Sequence, residues 1–144
     1  MYRQALLSFL ILSSTVYSAD KKSYGTIIVK EVTSVYDADT FKVNIDGWPA
    51  IIGERIPVRA YGFDAPEIKG KCQKEKGLAL VAKQLTVEAL NNAQVIELRD
   101  IRRGKYFRII ADVYVDGVSL TDMHLQAGTA RPYAGESRQG WCEP

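Results

Sequence analysis

A chain of 144 residues, 47% of them hydrophobic and 25% charged, can bury one proper core and leaves no room for a second domain. The balance of 19 Lys plus Arg against 17 Asp plus Glu excludes a polycationic coat. A polyanionic partner would have to be gripped by locally arranged cations or a metal, because no general field draws it in.

The chain opens as a secretory signal would, with Arg3 in a short basic start, an apolar run over residues 5–12, and small and polar residues up to Ser18 and Ala19. The run is too short to span a bilayer comfortably. Cleavage is expected after Ser18 or Ala19, with Val16 at the third position back favouring Ser18; an uncleaved anchor is the alternative. The mature domain would then be residues 19–144, exported to a periplasm or secreted, monomeric, and without stable membrane association. The first cysteine is Cys72, too far from the leader for a lipid-modified N-terminus. Cys72 and Cys142 suit a protein oxidised after export. Bridged, they would close a long loop worth about 4 kcal/mol in the chain-entropy model; two free thiols are the other reading.

In chain order, residues 24–35 carry Thr26, Ile27, Ile28, Val29, Val32 and Val35, a strand composition. Asp37 and Asp39 then mark a turn. Phe41, Val43 and Ile45 alternate with polar residues in a second strand that ends at the turn Asp46-Gly47. Residues 48–54 are irregular, with Trp48 placed to cover a barrel end. Residues 55–63 alternate again, Ile56 and Val58 on one face, Arg59 and Tyr61 on the other. A regular strand would point Arg59 and Asp64 to opposite sides, so Gly62 is expected to mark a bulge that reconciles them. After a polar loop over residues 69–77, the spacing of Leu78, Val81, Ala82, Leu85 and Ala89 predicts the buried face of a helix ending near Asn91-Asn92. Residues 94–99 and 106–115 predict two more strands joined by the basic turn Arg102-Arg103-Gly104-Lys105, and Asp116-Gly117 another turn. Ser119 caps a short helix with Asp122 three positions on and Gly128 as its stop. Residues 129–144 have no clear period. The element order argues for a mainly β, α+β domain: a small curled antiparallel sheet forming a five-stranded oligonucleotide/oligosaccharide-binding (OB) barrel with two flanking helices.

Chemistry gathers in three places. Asp37-Ala38-Asp39-Thr40 sets two carboxylates at the start of a strand, which with Asp64 offer hard oxygen ligands to a divalent cation. Arg59, Asp64 and Glu67 lie within nine residues, and Pro66 holds the intervening turn extended. Lys105-Tyr106-Phe107-Arg108 adds a second basic cluster. His124, the one histidine, has no cysteine or second histidine near it in sequence, so a zinc site is not expected.

In order and spacing these segments resemble the motifs of the staphylococcal (micrococcal) nuclease family of calcium-dependent phosphodiesterases, over residues 24–133. The family's Asp-Gly-Asp-Thr is matched by Asp37-Ala38-Asp39-Thr40. Its arginine followed five residues later by Asp-Thr-Pro-Glu is matched by Arg59 and Asp64-Ala65-Pro66-Glu67, and its Lys-Tyr-Gly-Arg by Lys105-Tyr106-Phe107-Arg108. The resemblance implies Ca2+ held by Asp39, Asp64 and the Ala65 carbonyl, with Arg59 and Arg108 on the scissile phosphate. It places Glu67 beside the attacking water, and gives Lys105, Tyr106 and Tyr133 to the nucleotide. For these tyrosines, ordinary barrel packing is the competing reading. The implied function is an exported nuclease acting on DNA or RNA; a non-catalytic nucleic-acid- or protein-binding module on the same barrel is the alternative. Ala38, Ala65 and Phe107 depart from the family's Gly, Thr and Gly. The family's best-known member continues after Tyr133 into a third helix, where residues 134–144 here read as a short tail, and a Cys72–Cys142 bridge is expected to pin that tail beside the loop that follows Glu67.

Overall fold

The computed structural model describes residues 22–142, so the leader read in residues 1–18 and its cleavage point lie outside the described residues. Strands β1 (Ile27–Ile28), β2 (Glu31–Val35) and β3 (Thr40–Asn44) are followed by a single turn of helix, α1 (Ala50–Gly53), then β4 (Ile56–Ala60) and β5 (Gly62–Asp64). The long helix α2 (Gln73–Asn92) precedes β6 (Ile96–Arg103), β7 (Ile109–Val115), β8 (Val118–Ser119), α3 (Leu120–Gln126) and β9 (Arg131–Tyr133). The main sheet runs β1-β6-β7-β4-β3-β2 with β8 on β7, and β5 pairs β9 in a second small sheet. Curled into a half-barrel with helices beside it, this is an OB-like α+β fold.

Alternation builds the core. Phe41 and Val43 of β3, Ile56, Val58 and Ala60 of β4, and Ile109, Ala111, Val113 and Val115 of β7 all point inward and are buried. Their neighbours Arg59, Ile110 and Asp112 face the other way. Trp48 packs against the core from the loop before α1. No helix among the described residues is long and apolar enough to cross a membrane.

Four features differ from the sequence expectation. The sheet is mixed, because β4 and β7 pair in parallel with Arg59 opposite Ile110. Parallel neighbours need a long crossover, which α2 and β6 supply. The supposed third strand breaks at Tyr61, and its last residues change sheets as β5 to meet β9, which the aperiodic tail concealed. Arg102 and Arg103, expected in a turn, belong to β6. Finally, α2 starts five residues before Leu78, and its buried positions are Glu75, Ala79, Ala82, Thr86 and Leu90, with Leu85 and Ala89 packed against the core. Leu78 and Val81 are exposed. Two of the inward residues are polar and have fixed hydrogen-bond partners inside, so apolar spacing alone found only part of the buried stripe.

Gly62 is the pivot expected from the sequence, though as a corner and not as a bulge. Its φ of +101° lies where side chains are strained, and an added Cβ would stand 3.1 Å from the Thr121 side chain. Thr121 Oγ1 donates to the Tyr61 carbonyl at 2.8 Å, fixing α3 to the corner. Gly62→Val should therefore cost about 2–3 kcal/mol, read as a lowered denaturation midpoint.

Candidate active site

The first two acidic motifs are joined by sheet register. Thr40 lies opposite Arg59 on the neighbouring strands β3 and β4, and Ala60 N–H donates to the Asp39 carbonyl at 2.8 Å. Arg59 then closes a fork on Asp39: its two terminal nitrogens lie 2.8 Å from Oδ2 and 3.3 Å from Oδ1. Such paired bonds need the planar guanidinium. Thr40 Oγ1 adds a bond to Asp39 Oδ1 at 2.7 Å.

The corner at Gly62 turns Asp64 inward. Asp37, Asp39 and Asp64 are all buried, and Asp37 Oδ1 and Asp64 Oδ1 accept no hydrogen bond. Burial raises the Asp37 carboxyl to about 7, with the neighbouring Asp39 charge adding to it. Burial likewise raises Asp64, against the opposing pull of Arg138. Like charges crowded out of water, with two orphaned oxygens among them, are what a divalent cation would relieve. Hard carboxylate oxygens of this kind suit calcium in chemistry, while no three of these acids' ligand atoms lie within 4.8 Å of one another.

A buried polar chain holds the first turn from behind. Thr86 Oγ1 of α2 donates to the Ala38 carbonyl at 2.7 Å and lies 2.7 Å from His124 Nε2. His124 Nδ1 in turn lies 2.7 Å from Thr129 Oγ1. With the Thr86 proton on Ala38, Nε2 carries the imidazole proton, and the Thr129 hydroxyl turns to Nδ1 at 2.7 Å in preference to the His124 carbonyl at 3.2 Å. His124 is fully buried and stacks on Phe63 with centroids 4.7 Å apart. Burial lowers its pKa to about 4. The histidine is thus a satisfied core residue that braces the acidic turn. Ala38 sits outside the positive-φ region, so the family's glycine is not required there.

Asp37 and His124 oppose each other in pH. Asp37, raised in the fold, stabilises fully below its unfolded value near 4, and this contribution is lost as pH rises towards 7. His124, lowered in the fold, stabilises fully above about 6.5 and loses that contribution as pH falls towards 4. The two shifts are of similar size and opposite sign. In calcium-free buffer the slopes of Asp37 and His124 oppose each other between pH 4 and 6.5, while the raised Asp64 and Asp112 add a loss towards neutrality. Asp37→Asn should lose stability towards acid, and His124→Leu should lose it towards neutrality. Denaturant midpoints at four pH values test this, and parallel profiles for the three proteins would contradict it.

The tail completes the site from the other side. Cys72 and Cys142 form a disulfide, with Cα atoms 5.9 Å apart. Cys72 Sγ also accepts from Glu75 N–H at the start of α2, which is why the helix begins there. Glu75 is buried and receives the backbone N–H of Lys71 at 2.8 Å and of Glu67 at 3.3 Å. Gly70 leaves the space, since a Cβ there would come within 2.5 Å of the Glu75 side chain. Held by this anchor, Arg138 lies 3.0 Å from Asp64 Oδ1 as an ion pair without a directed bond, and 2.6 Å from Glu67 Oε1. Trp141 Nε1 donates to Asp64 Oδ2 at 3.3 Å, while the Arg131 guanidinium stacks on the Trp141 ring. Burial works against the charge of Arg138, but the Glu67 bond and the Asp64 charge outweigh it and raise its pKa.

Of the residues named from sequence, Asp39, Arg59, Asp64 and Glu67 come together, with Ala65 buried between the last two. Tyr133 lies opposite Gly62 in the β5–β9 pair, under the Arg138 guanidinium. Lys105, Tyr106 and Arg108 are not brought to the acids. Tyr106 is 91% exposed, so barrel packing does not explain it. It and Phe107 both adopt left-handed φ, +56° and +58°, so Phe107 keeps a glycine-like conformation at about 1–2 kcal/mol. Arg108 leaves Nε buried and unpartnered and lines a separate cavity of about 570 Å³ with Trp48 and Phe107. Arg138 and Trp141 had no motif to announce them; their one sequence signal is nearness to Cys142.

The staphylococcal nuclease homologue family matches residues 57–141, more than half of the chain, and the chain belongs to that family. No curated protein matches it. The matched span begins at Pro57, so the contribution of the Asp37–Thr40 segment rests on the register that sets Thr40 against Arg59.

Proposed function

We propose that this chain is an exported, calcium-dependent nuclease that hydrolyses phosphodiester bonds of DNA or RNA. The observation that carries the reading is the buried, mutually repelling set Asp37, Asp39 and Asp64, faced by Arg59 and rimmed by the half-exposed Glu67. Membership of the nuclease family supports it.

Asp39, Asp64 and the Ala65 carbonyl would hold the calcium. When bound it supplies positive charge to the phosphate oxygens and neutralises the crowded acids. Arg59 binds the same phosphate with a fork that stabilises the charge-rich transition state more than the ground state. Arg108 stands two residues ahead of Ile110, the partner of Arg59 in the sheet, but its side chain lines the separate cavity, so the phosphate is left to Arg59 and the cation. Glu67 orients the attacking water and takes its proton. Lys105, Tyr106 and Tyr133 offer a cation and rings to the flanking nucleotides.

Purified protein should cleave single- or double-stranded DNA or RNA with calcium and stop on chelation. Retention in a gel without cleavage would instead identify a binding module, and cleavage indifferent to calcium would overturn the metal assignment.

A further inference from the structure

The tail beyond β9 contributes side chains that the family motifs do not account for. Arg138 reaches both Asp64 and Glu67, and Trp141 holds the remaining oxygen of Asp64. The reach depends on a covalent anchor, because residues 134–140 are exposed and form no regular element. The Cys72–Cys142 bridge ties the end of this segment to the start of α2, next to Glu75, which itself holds the Glu67 backbone. A guanidinium thereby sits where positive charge is most needed. Among the described residues the one set of three ligand atoms within 4.8 Å of one another is Cys72, Glu75 and Cys142, whose sulfurs are taken up by the disulfide. The acids Asp39, Asp64 and Glu67 form no such set, and Arg59 and Arg138 stand against them.

We propose that Arg138 is a positioning residue of this site, a tethered counter-ion that yields Asp64 to calcium and keeps Glu67 aimed, with the disulfide setting its local concentration. The inference rests on the nuclease reading above. It requires calcium affinity and turnover to respond to Arg138 in opposite directions. Removing the charge strips a competitor from Asp64 and tightens calcium, whereas removing the guanidinium's bond to Glu67 frees that side chain to rotate and slows the reaction. A residue with a merely structural role would weaken both.

The test pairs calorimetric calcium titration with initial cleavage rates for wild type, Arg138→Gln and Arg138→Lys. Arg138→Gln should bind calcium about tenfold more tightly while turnover falls roughly 10- to 100-fold. Arg138→Lys keeps the charge, but one ammonium does not span both carboxylates as the guanidinium does, so its calcium affinity should stay near wild type while its turnover falls. Reduction of the disulfide in the wild type should reproduce the Arg138→Gln pattern, and in Arg138→Gln itself should change calcium affinity little. Calcium affinity unchanged or weakened in folded Arg138→Gln overturns the proposal, as does wild-type turnover in that variant. A wild-type protein that binds calcium yet cleaves nothing defeats the nuclease reading, and the calorimetric arm still decides whether Arg138 is the counter-ion.

Discussion

Glu67→Gln should lower turnover on the order of 100- to 1,000-fold and leave the fold intact. The glutamine keeps the shape and can still accept from Arg138, but it cannot take a proton from water. The Glu67 side chain is 43% exposed and pairs only with Arg138 among the described residues, so stability should change little. Arg59→Lys should fall by a similar factor, on the order of 100-fold or more, since lysine keeps the charge and loses the fork now closed on Asp39. Initial rates set beside thermal melts check both. Wild-type rates in folded variants would refute the roles given to these residues.

The second large effect is on stability. Cys142→Ser opens a bridge between residues 70 apart in sequence, and the loss should be about 4 kcal/mol, lowering the melting point by roughly 10–20 °C. Its consequence is not confined to the tail. Glu75 sits beside the bridge and holds the backbone of Glu67 and Lys71, so the loop after the corner should loosen with it. An unchanged melting point in Cys142→Ser would show that the tail packs without its covalent tie.

The sequence made the barrel strands legible because their inward faces alternate without interruption, as in Phe41, Val43 and Ile45 or Ile56 and Val58. It also located the difficulty between Arg59 and Asp64 at Gly62, where the positive φ is found. The helix face was read only in part, Ala82, Leu85 and Ala89 but not Leu78 or Val81, for a physical reason: Thr86 and Glu75 face inward because each has a waiting partner, the Ala38 carbonyl and the backbone of Lys71, and apolar periodicity is blind to such pairings. Arg138 and Trp141 were invisible for a related reason. Their place is set by a cysteine pairing and by contacts some 70 residues away in sequence, not by a local period. Arg108 matches its motif in sequence yet is directed to a different cavity, which local spacing could not disclose.

The most direct measurement follows cleavage of a defined DNA or RNA substrate by the wild-type protein and by an Asp39→Asn, Asp64→Asn double variant, as calcium is added, chelated and restored. The account predicts wild-type cleavage that appears, stops and returns with calcium, and none from the folded double variant. Cleavage that persists through chelation, or survives loss of both carboxylates, would contradict it.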